Sequence, residues 1–183
     1  ELNFPILYLF RRHAVDSAGA GKFRGGAGVE TAHTVHDAPE KRLDGVAYGV
    51  AGLKNSGRGL FGGYPGAPSI IVLQERTRLR EVVSATKAPV DMTEIGGEMR
   101  FLPYCNFAMG KDDILYMRVA SGGGYGDPRE RDPERVRSDV LNGIVSREVA
   151  REIYGVVLEA NTLDVDFAAT RDLREESKRK ELE

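Results

Sequence analysis

The sequence predicts an α+β fold that is mainly β: a glycine-rich antiparallel sheet body, followed by a C-terminal helical hairpin and a terminal helix. Three observations predict it. Short apolar runs separated by glycine-dense turns fill the chain as far as Pro128. The segment Ala120–Pro128, with glycine at every position but one from Gly122 to Gly126, then demands backbone conformations or close approaches that suit glycine. Beyond it, Asp132-Pro133-Glu134 opens a helical pattern with an N-cap acid and proline at the first helical position. The expected division is a glycine-rich β domain over 1–128 and a helical segment over 129–183 packed on it, the two folding as one unit.

In chain order, Phe4–Arg12 reads as a mostly buried strand with proline at its start, where a missing N–H is tolerated. Asp16–Gly21 and Lys22–Gly28 are turn composition around a single Phe-Arg pair. Val29–His36 alternates as a strand, which puts His33 and His36 on opposite faces. Asp44–Gly52 suits a bulged strand, and Ser56–Pro68 is a long glycine/proline loop whose Leu60, Phe61 and Tyr64 call for burial. Ser69–Leu73 is a buried strand. Glu75–Gly97, charged and broken at Ala88-Pro89 and Gly96-Gly97, reads as one strand or ribbon plus an exposed insertion. Apolar content resumes at Phe101–Tyr104, and the turn Gly110–Asp113 feeds the strand Ile114–Val119. After the glycine run, Asp132–Leu141 forms a helix stopped by Gly143, and Ser146 caps a second helix closed by Gly155. Val156–Leu158 is a short strand, and Asp166 starts a charged last helix.

Composition excludes several functions. A net charge of -2 gives no electrostatic reason for a nucleic acid or an anionic membrane as partner. No apolar run reaches the length of a membrane span. The single cysteine, Cys105, cannot form an intramolecular disulfide and fits a reducing compartment, so cytoplasm is the expectation. His33 and His36 have no acid or cysteine arrangement to complete a metal set. The loop around Lys22 and Arg24 could cradle an anion, but it lacks the Gly-Lys-Ser/Thr step into a helix and the spaced glycines of a dinucleotide fold. An independent phosphate-binding enzyme built on these loops therefore ranks below a structural reading of the turns.

Four motifs in order carry a resemblance: Asp16–Gly28, Gly62–Pro68, Gly122–Pro128 with Glu130–Glu134, and Asp139–Ser146. With the ending Ala150–Val157, they resemble the C-terminal part of the hydantoinase B family. That family takes in B-type subunits of N-methylhydantoinases, the B half of 5-oxoprolinase, and subunits of acetone and acetophenone carboxylases. The resemblance covers nearly the whole chain but only the last third of a family subunit.

It implies ATP-dependent carbonyl chemistry in a multi-subunit complex. An A-type partner phosphorylates an amide or enolate oxygen, and the B-type subunit hosts ring hydrolysis or attack on an activated carboxyl group. The expected partners are a hydantoinase A-type ATP-binding subunit and the N-terminal B-type portion, in a hetero-oligomer without nucleic acid or membrane. No cofactor is expected in this chain; ATP and a divalent metal belong to partner subunits. No catalytic residue and no metal ligand is assigned here. Arg24, Tyr125, Gly126 and Asp127 are the candidate substrate or interface residues, with turn capping as the alternative role for Asp127 and core anchoring for Tyr125. Two departures stand out. The final glycine run begins Ala120-Ser121 rather than threonine-proline and has three consecutive glycines instead of four; Leu102-Pro103-Tyr104-Cys105 replaces the Leu-Pro-Ser-Lys common before the last strand. The missing lysine and the insertion around Asp91–Glu98 favour a ketone carboxylase over a cyclic-amide hydrolase, with a purely structural assembly module as a further alternative.

Overall fold

A computed structural model describes residues 4–38, 42–48, 57–84, 89 and 92–182. The expected features at Gly49–Gly52, Ser56, Ala88 and Asp91 lie outside the described residues. Strands form at β1 (Ile6–His13), β2 (Val29–Val35), β3 (Arg42–Ala47), β4 (Ile70–Glu75), β5 (Glu98–Phe101), β6 (Cys105–Gly110) and β7 (Ile114–Arg118). They make a five-stranded sheet in the order β1-β2-β7-β4-β5 and a two-stranded ribbon of β3 and β6. The fold is α+β and mainly β, as the turn-separated apolar runs predict. Contacts group the chain into two compact units: residues 1–12, 29–55 and 68–119 in one, and 13–28, 56–67 and 120–183 in the other. The glycine segments upstream of Pro128 thus group with the C-terminal helices rather than with the sheet.

The first unit is the sheet and its cover. Antiparallel register sets Leu73 opposite Leu115 and Leu115 opposite His33, so these share one face. The ribbon covers that face: Val35, Ala47, Leu73, Leu102, Met109 and Leu115 form one buried cluster. Strand β6 was not anticipated, because Cys105–Gly110 carries no β-branched residue; pairing along the whole of β3 holds it extended. On the opposite face, Val72, Tyr116, Ala32 and Phe101 are register partners. Part of this face lies under α1 (Leu79–Ser84) and a 3-10 turn at Met92–Ile95, with Ala32, Leu79, Ile95 and Ile114 buried together.

The helix corrects the expectation of one strand or ribbon plus an exposed insertion over Glu75–Gly97. The Leu79 N–H donates to Thr77 Oγ1 at 3.2 Å, and Leu79 and Val82, three apart, turn to the same cluster. Six residues are too few for the period to stand out among the surrounding charges. His33, read as one face of a strand, lies inside the fold. It is buried beside Tyr8, ring centroids 5.4 Å apart, and its Nδ1 has no hydrogen-bond partner. His36 remains exposed next to Asp37.

Burial lowers the His33 pKa below 6.5, because the imidazolium loses its hydration. The unfolded chain takes up a proton as pH falls through 6.5, whereas the folded chain resists until lower pH. Stability is therefore expected to fall below pH 6.5, and His33→Gln should flatten that part of the profile. Urea unfolding of both proteins between pH 7.5 and 5.5, on the order of two units around the ordinary histidine value, checks this.

The second unit joins the glycine segments to α2 (Pro133–Leu141), α3 (Arg147–Glu152) and α4 (Phe167–Leu182). Each start signal read from the sequence is used. Asp132 accepts from the Glu134 N–H at 3.0 Å, Ser146 from Val149 at 3.1 Å, and Asp166 from Ala169 at 2.9 Å. Gly143 and Gly155 end the hairpin helices at φ +65° and +61°. The hairpin buries Val136, Val145, Ala150, Tyr154 and Val156 against Ala20. The strand expected at Val156–Leu158 reduces to a single bridge between Leu158 and Val165. Arg174 of α4 donates to the Tyr154 carbonyl at 3.1 Å and the Arg131 carbonyl at 2.9 Å, which ties an otherwise charged helix to the hairpin.

Candidate functional site

Three glycine segments of the second unit, around residues 17–28, 57–67 and 120–127, lie backbone against backbone. The Gly19 N–H donates to the Gly122 carbonyl and Tyr64 to Ala20; Gly124 donates to Tyr64, and Leu60 to Gly124, at 2.8–2.9 Å. A Cβ on Gly124 would sit 2.0 Å from the Ala20 carbonyl oxygen, and one on Gly123 2.0 Å from that of Arg58. Two buried serines pin the assembly. Ser17 Oγ donates to the Ala14 carbonyl at 2.6 Å, and Ser121 Oγ donates to the Ser17 carbonyl while accepting from the Ala67 N–H at 2.7 Å. The glycines are spent on contact between main chains.

The candidate residues occupy this body in different ways. Arg24 donates through Nε and a terminal nitrogen to the two oxygens of Asp139, both at 3.1 Å, in a bidentate pair. Arg131 reaches the same carboxylate at 2.9 Å, and all three side chains are largely buried. Lys22, the other cation of the loop, pairs with Glu130 at 3.0 Å on the surface. Asp127 accepts from the Arg129 N–H at 2.8 Å and caps a 3-10 turn at Pro128–Glu130. Gly126 takes φ +75°, and a Cβ there would lie 3.1 Å from Lys22 Cβ.

Tyr125 is the candidate that faces outward. It forms backbone bridges with both Phe23 and Leu60, and its ring lies 6.2 Å from that of Phe23 and 5.1 Å from that of Phe61. Leu60, Phe61 and Tyr64, expected to be buried, are all exposed; Phe61 is 78% accessible. The reason is geometric. Main chains that touch leave room only for small side chains between them, so the large apolar residues among the glycines project outward. Phe61 holds φ +51°, an uncommon conformation for an aromatic residue, and displays its ring there.

The first unit carries a second feature that the sequence reading missed. The uncovered part of the sheet face is a groove of about 260 Å³ with a mostly apolar lining, including Ile70, Val72, Met99 and Phe101. At one side Glu30 accepts from Arg12 Nε at 2.5 Å and from the Tyr116 hydroxyl at 2.7 Å. Arg12 also lies over the Phe10 ring, 4.5 Å from its centroid. Burial, then the bond to Glu30 and its charge, push the Tyr116 pKa far above its ordinary 10.0, so the phenol remains protonated and donating. The available signal was Glu30 at the start of an otherwise apolar alternation, with Tyr116 and Arg118 two apart on another strand.

Among the described residues, no group of three or more histidine, cysteine, aspartate or glutamate side chains is arranged to hold a metal ion. No helix among them is long and apolar enough to cross a membrane.

A family model described as hydantoinase B/oxoprolinase matches residues 1–128. The chain belongs to the hydantoinase B/oxoprolinase family. Among relatives, it is 31% identical to the acetone carboxylase alpha subunit of Xanthobacter autotrophicus over 100% of this chain and 25% of that subunit. It is 30% identical to the acetophenone carboxylase delta subunit of Aromatoleum aromaticum, over 95% of this chain and 27% of the other. The caprolactamase subunit beta of Pseudomonas jessenii is 31% identical over 93% of this chain and 26% of its own length. The solved structure of nucleotide-free acetone carboxylase superposes with a TM-score of 0.78 at 26% identity, covering 97% of this chain and 25% of that one. ATP-dependent caprolactamase from P. jessenii gives 0.67 at 27% identity, over 95% and 27%. This hydantoinase B chain thus spans about a quarter of the length of these relatives, and its mainly β α+β fold is the one found in acetone carboxylase.

Proposed function

We propose that the chain serves as the C-terminal part of a B-type subunit in an ATP-dependent multi-subunit enzyme that activates a carbonyl by phosphorylation, and that the reaction is a ketone carboxylation. The observation that carries the reading is the superposition on acetone carboxylase along nearly the whole chain, at a higher TM-score than caprolactamase. Phosphorylation of a carboxyl oxygen in a partner subunit creates an electrophilic carbon with phosphate as its leaving group, and phosphorylation of the ketone's enolate oxygen holds the ketone as its enol, whose carbon is the nucleophile, so activation precedes any part played by side chains here. ATP and its divalent metal are placed in that partner. The glycine-turn body is assigned as scaffold and interface, with the rings of Phe23, Phe61 and Tyr125 facing the remaining polypeptide of the complex.

The test is to purify the complex through this chain and supply ATP, labelled bicarbonate and either acetone or acetophenone. ATP-dependent fixation of label into a keto acid is the expected result. ATP-dependent opening of a lactam or hydantoin without fixation would move the assignment to the cyclic-amide hydrolases, which the likeness to caprolactamase subunit beta keeps as the second reading. A chain recovered only as a solitary monomer would overturn both.

The interface assignment makes its own prediction. Phe61→Gly relieves the φ +51° backbone, so the isolated chain should be unchanged or gain about 1 kcal/mol. Removing an exposed aromatic anchor should weaken association with the rest of the complex by about 2 kcal/mol, roughly thirtyfold in Kd. Thermal unfolding of the chain and titration of the complex read the two effects separately.

A further inference from the structure

The groove on the sheet face has an electrostatic imbalance that neither the glycine turns nor the family assignment accounts for. Register sets Arg118 opposite both Glu30 and Ile70, so Arg118 lies on the same face as the groove, two residues along β7 from Tyr116. Its Nε is buried and has no hydrogen-bond partner. Among the described residues, Glu30 is the carboxylate directly opposite Arg118, and it is already bonded, one oxygen to Arg12 and the other to the Tyr116 hydroxyl. Two guanidinium groups therefore stand against one carboxylate, Arg12 lining the apolar groove and Arg118 next to it, opposite the lining residues Glu30 and Ile70. An uncompensated cation next to apolar surface is costly unless an anion joins it.

We propose that this groove binds a small amphipathic carboxylate, its charged end on Arg118 and Arg12 and its apolar body over Ile70, Val72, Met99 and Phe101. A single surplus positive charge matches a monoanion better than a phosphate dianion. The planar fork of arginine suits carboxylate oxygens. A volume of about 260 Å³ lies below the range of drug-sized sites and fits a body on the order of six carbons. The ligand is held by a neutralised charge at one end and by apolar contact at the other, so neither half alone should bind well.

The assignment is independent of the carboxylase reading, because binding is read without ATP or ketone. Hexanoate is titrated into the full chain while the methyl resonances of Met92 and Met99, both lining the groove, are followed by NMR. Acetate supplies the charge without the body, and hexan-1-ol the body without the charge. Hexanoate should shift both methyl signals, with acetate and hexanol each at least about tenfold weaker. Arg118→Gln should weaken hexanoate by about tenfold, and Met99→Trp, at an exposed position on β5, should abolish its binding by filling the groove. Backbone amide spectra establish that both variants are folded. Hexanoate that leaves both methionines unmoved, or that binds Arg118→Gln as well as the parent, would overturn the proposal. So would an assembled enzyme in which another polypeptide covers Met99 and Phe101 and hexanoate no longer reaches them.

Discussion

Gly124→Ala is expected to destabilise the glycine-turn unit by at least about 3 kcal/mol, and to leave little of that unit folded at 37 °C. The added methyl would lie 2.0 Å from the Ala20 carbonyl oxygen, 2.4 Å from its carbon and 2.7 Å from the Gly19 carbonyl oxygen. All three are main-chain atoms, so no side chain can rotate out of the way. The neighbouring segments would have to separate, breaking the bonds that Gly124 gives to Tyr64 and receives from Leu60. The control is Gly26→Ala, a glycine of the same composition-rich stretch with no atom within 4 Å of its Cβ position. That substitution should be neutral or stabilising by a few tenths of a kcal/mol, through the unfolded chain alone. Chemical denaturation of the two variants separates contact from composition. Equal stability would mean that the glycines are not there for close approach.

Asp139→Asn should cost about 3–5 kcal/mol. Among the described residues, Asp139 is the only carboxylate bonded to the buried guanidinium groups of Arg24 and Arg131, and both oxygens are used. An amide keeps the shape but removes the charge, and turns one acceptor into a donor facing arginine N–H groups. Two cations would remain buried without a counter-charge, the costly half of breaking such a network. Arg24→Ala should cost less, about 1–3 kcal/mol, because Arg131 still holds the carboxylate. Urea denaturation of both variants orders the two effects. If Arg24→Ala left the fold intact yet abolished turnover of the complex, Arg24 would carry a role in the reaction beyond this pair.

The legible parts of the chain are those where a local rule decides the outcome. Asp132, Ser146 and Asp166 announce helix starts, Gly143 and Gly155 announce ends, and each acts within one turn of its own position. The paired apolar runs β2, β4 and β7 follow from alternation and β-branching for the same reason. What was missed depends on partners distant in sequence. Strand β6 exists because β3, some 60 residues earlier, offers it a full register. Leu60, Phe61 and Tyr64 are apolar and were assigned to an interior. Their exposure follows only once three glycine segments are seen to leave no space for large side chains between them. His33 reads as polar, yet it is buried beside Tyr8 of a neighbouring strand. The groove belongs to this second kind as well. Arg12, Glu30, Tyr116 and Arg118 come from three strands, and no window of sequence holds them together.

We propose that a stack of glycine main chains makes this polypeptide a scaffold and docking piece whose chemistry needs companion subunits. Reconstitution tests it most directly: ATP-dependent incorporation of labelled bicarbonate into acetone is measured for the chain alone, for the remaining subunits alone, and for the two combined. Product is expected only in the combined sample. Turnover by the chain on its own, or undiminished turnover by the other subunits without it, would contradict the proposal.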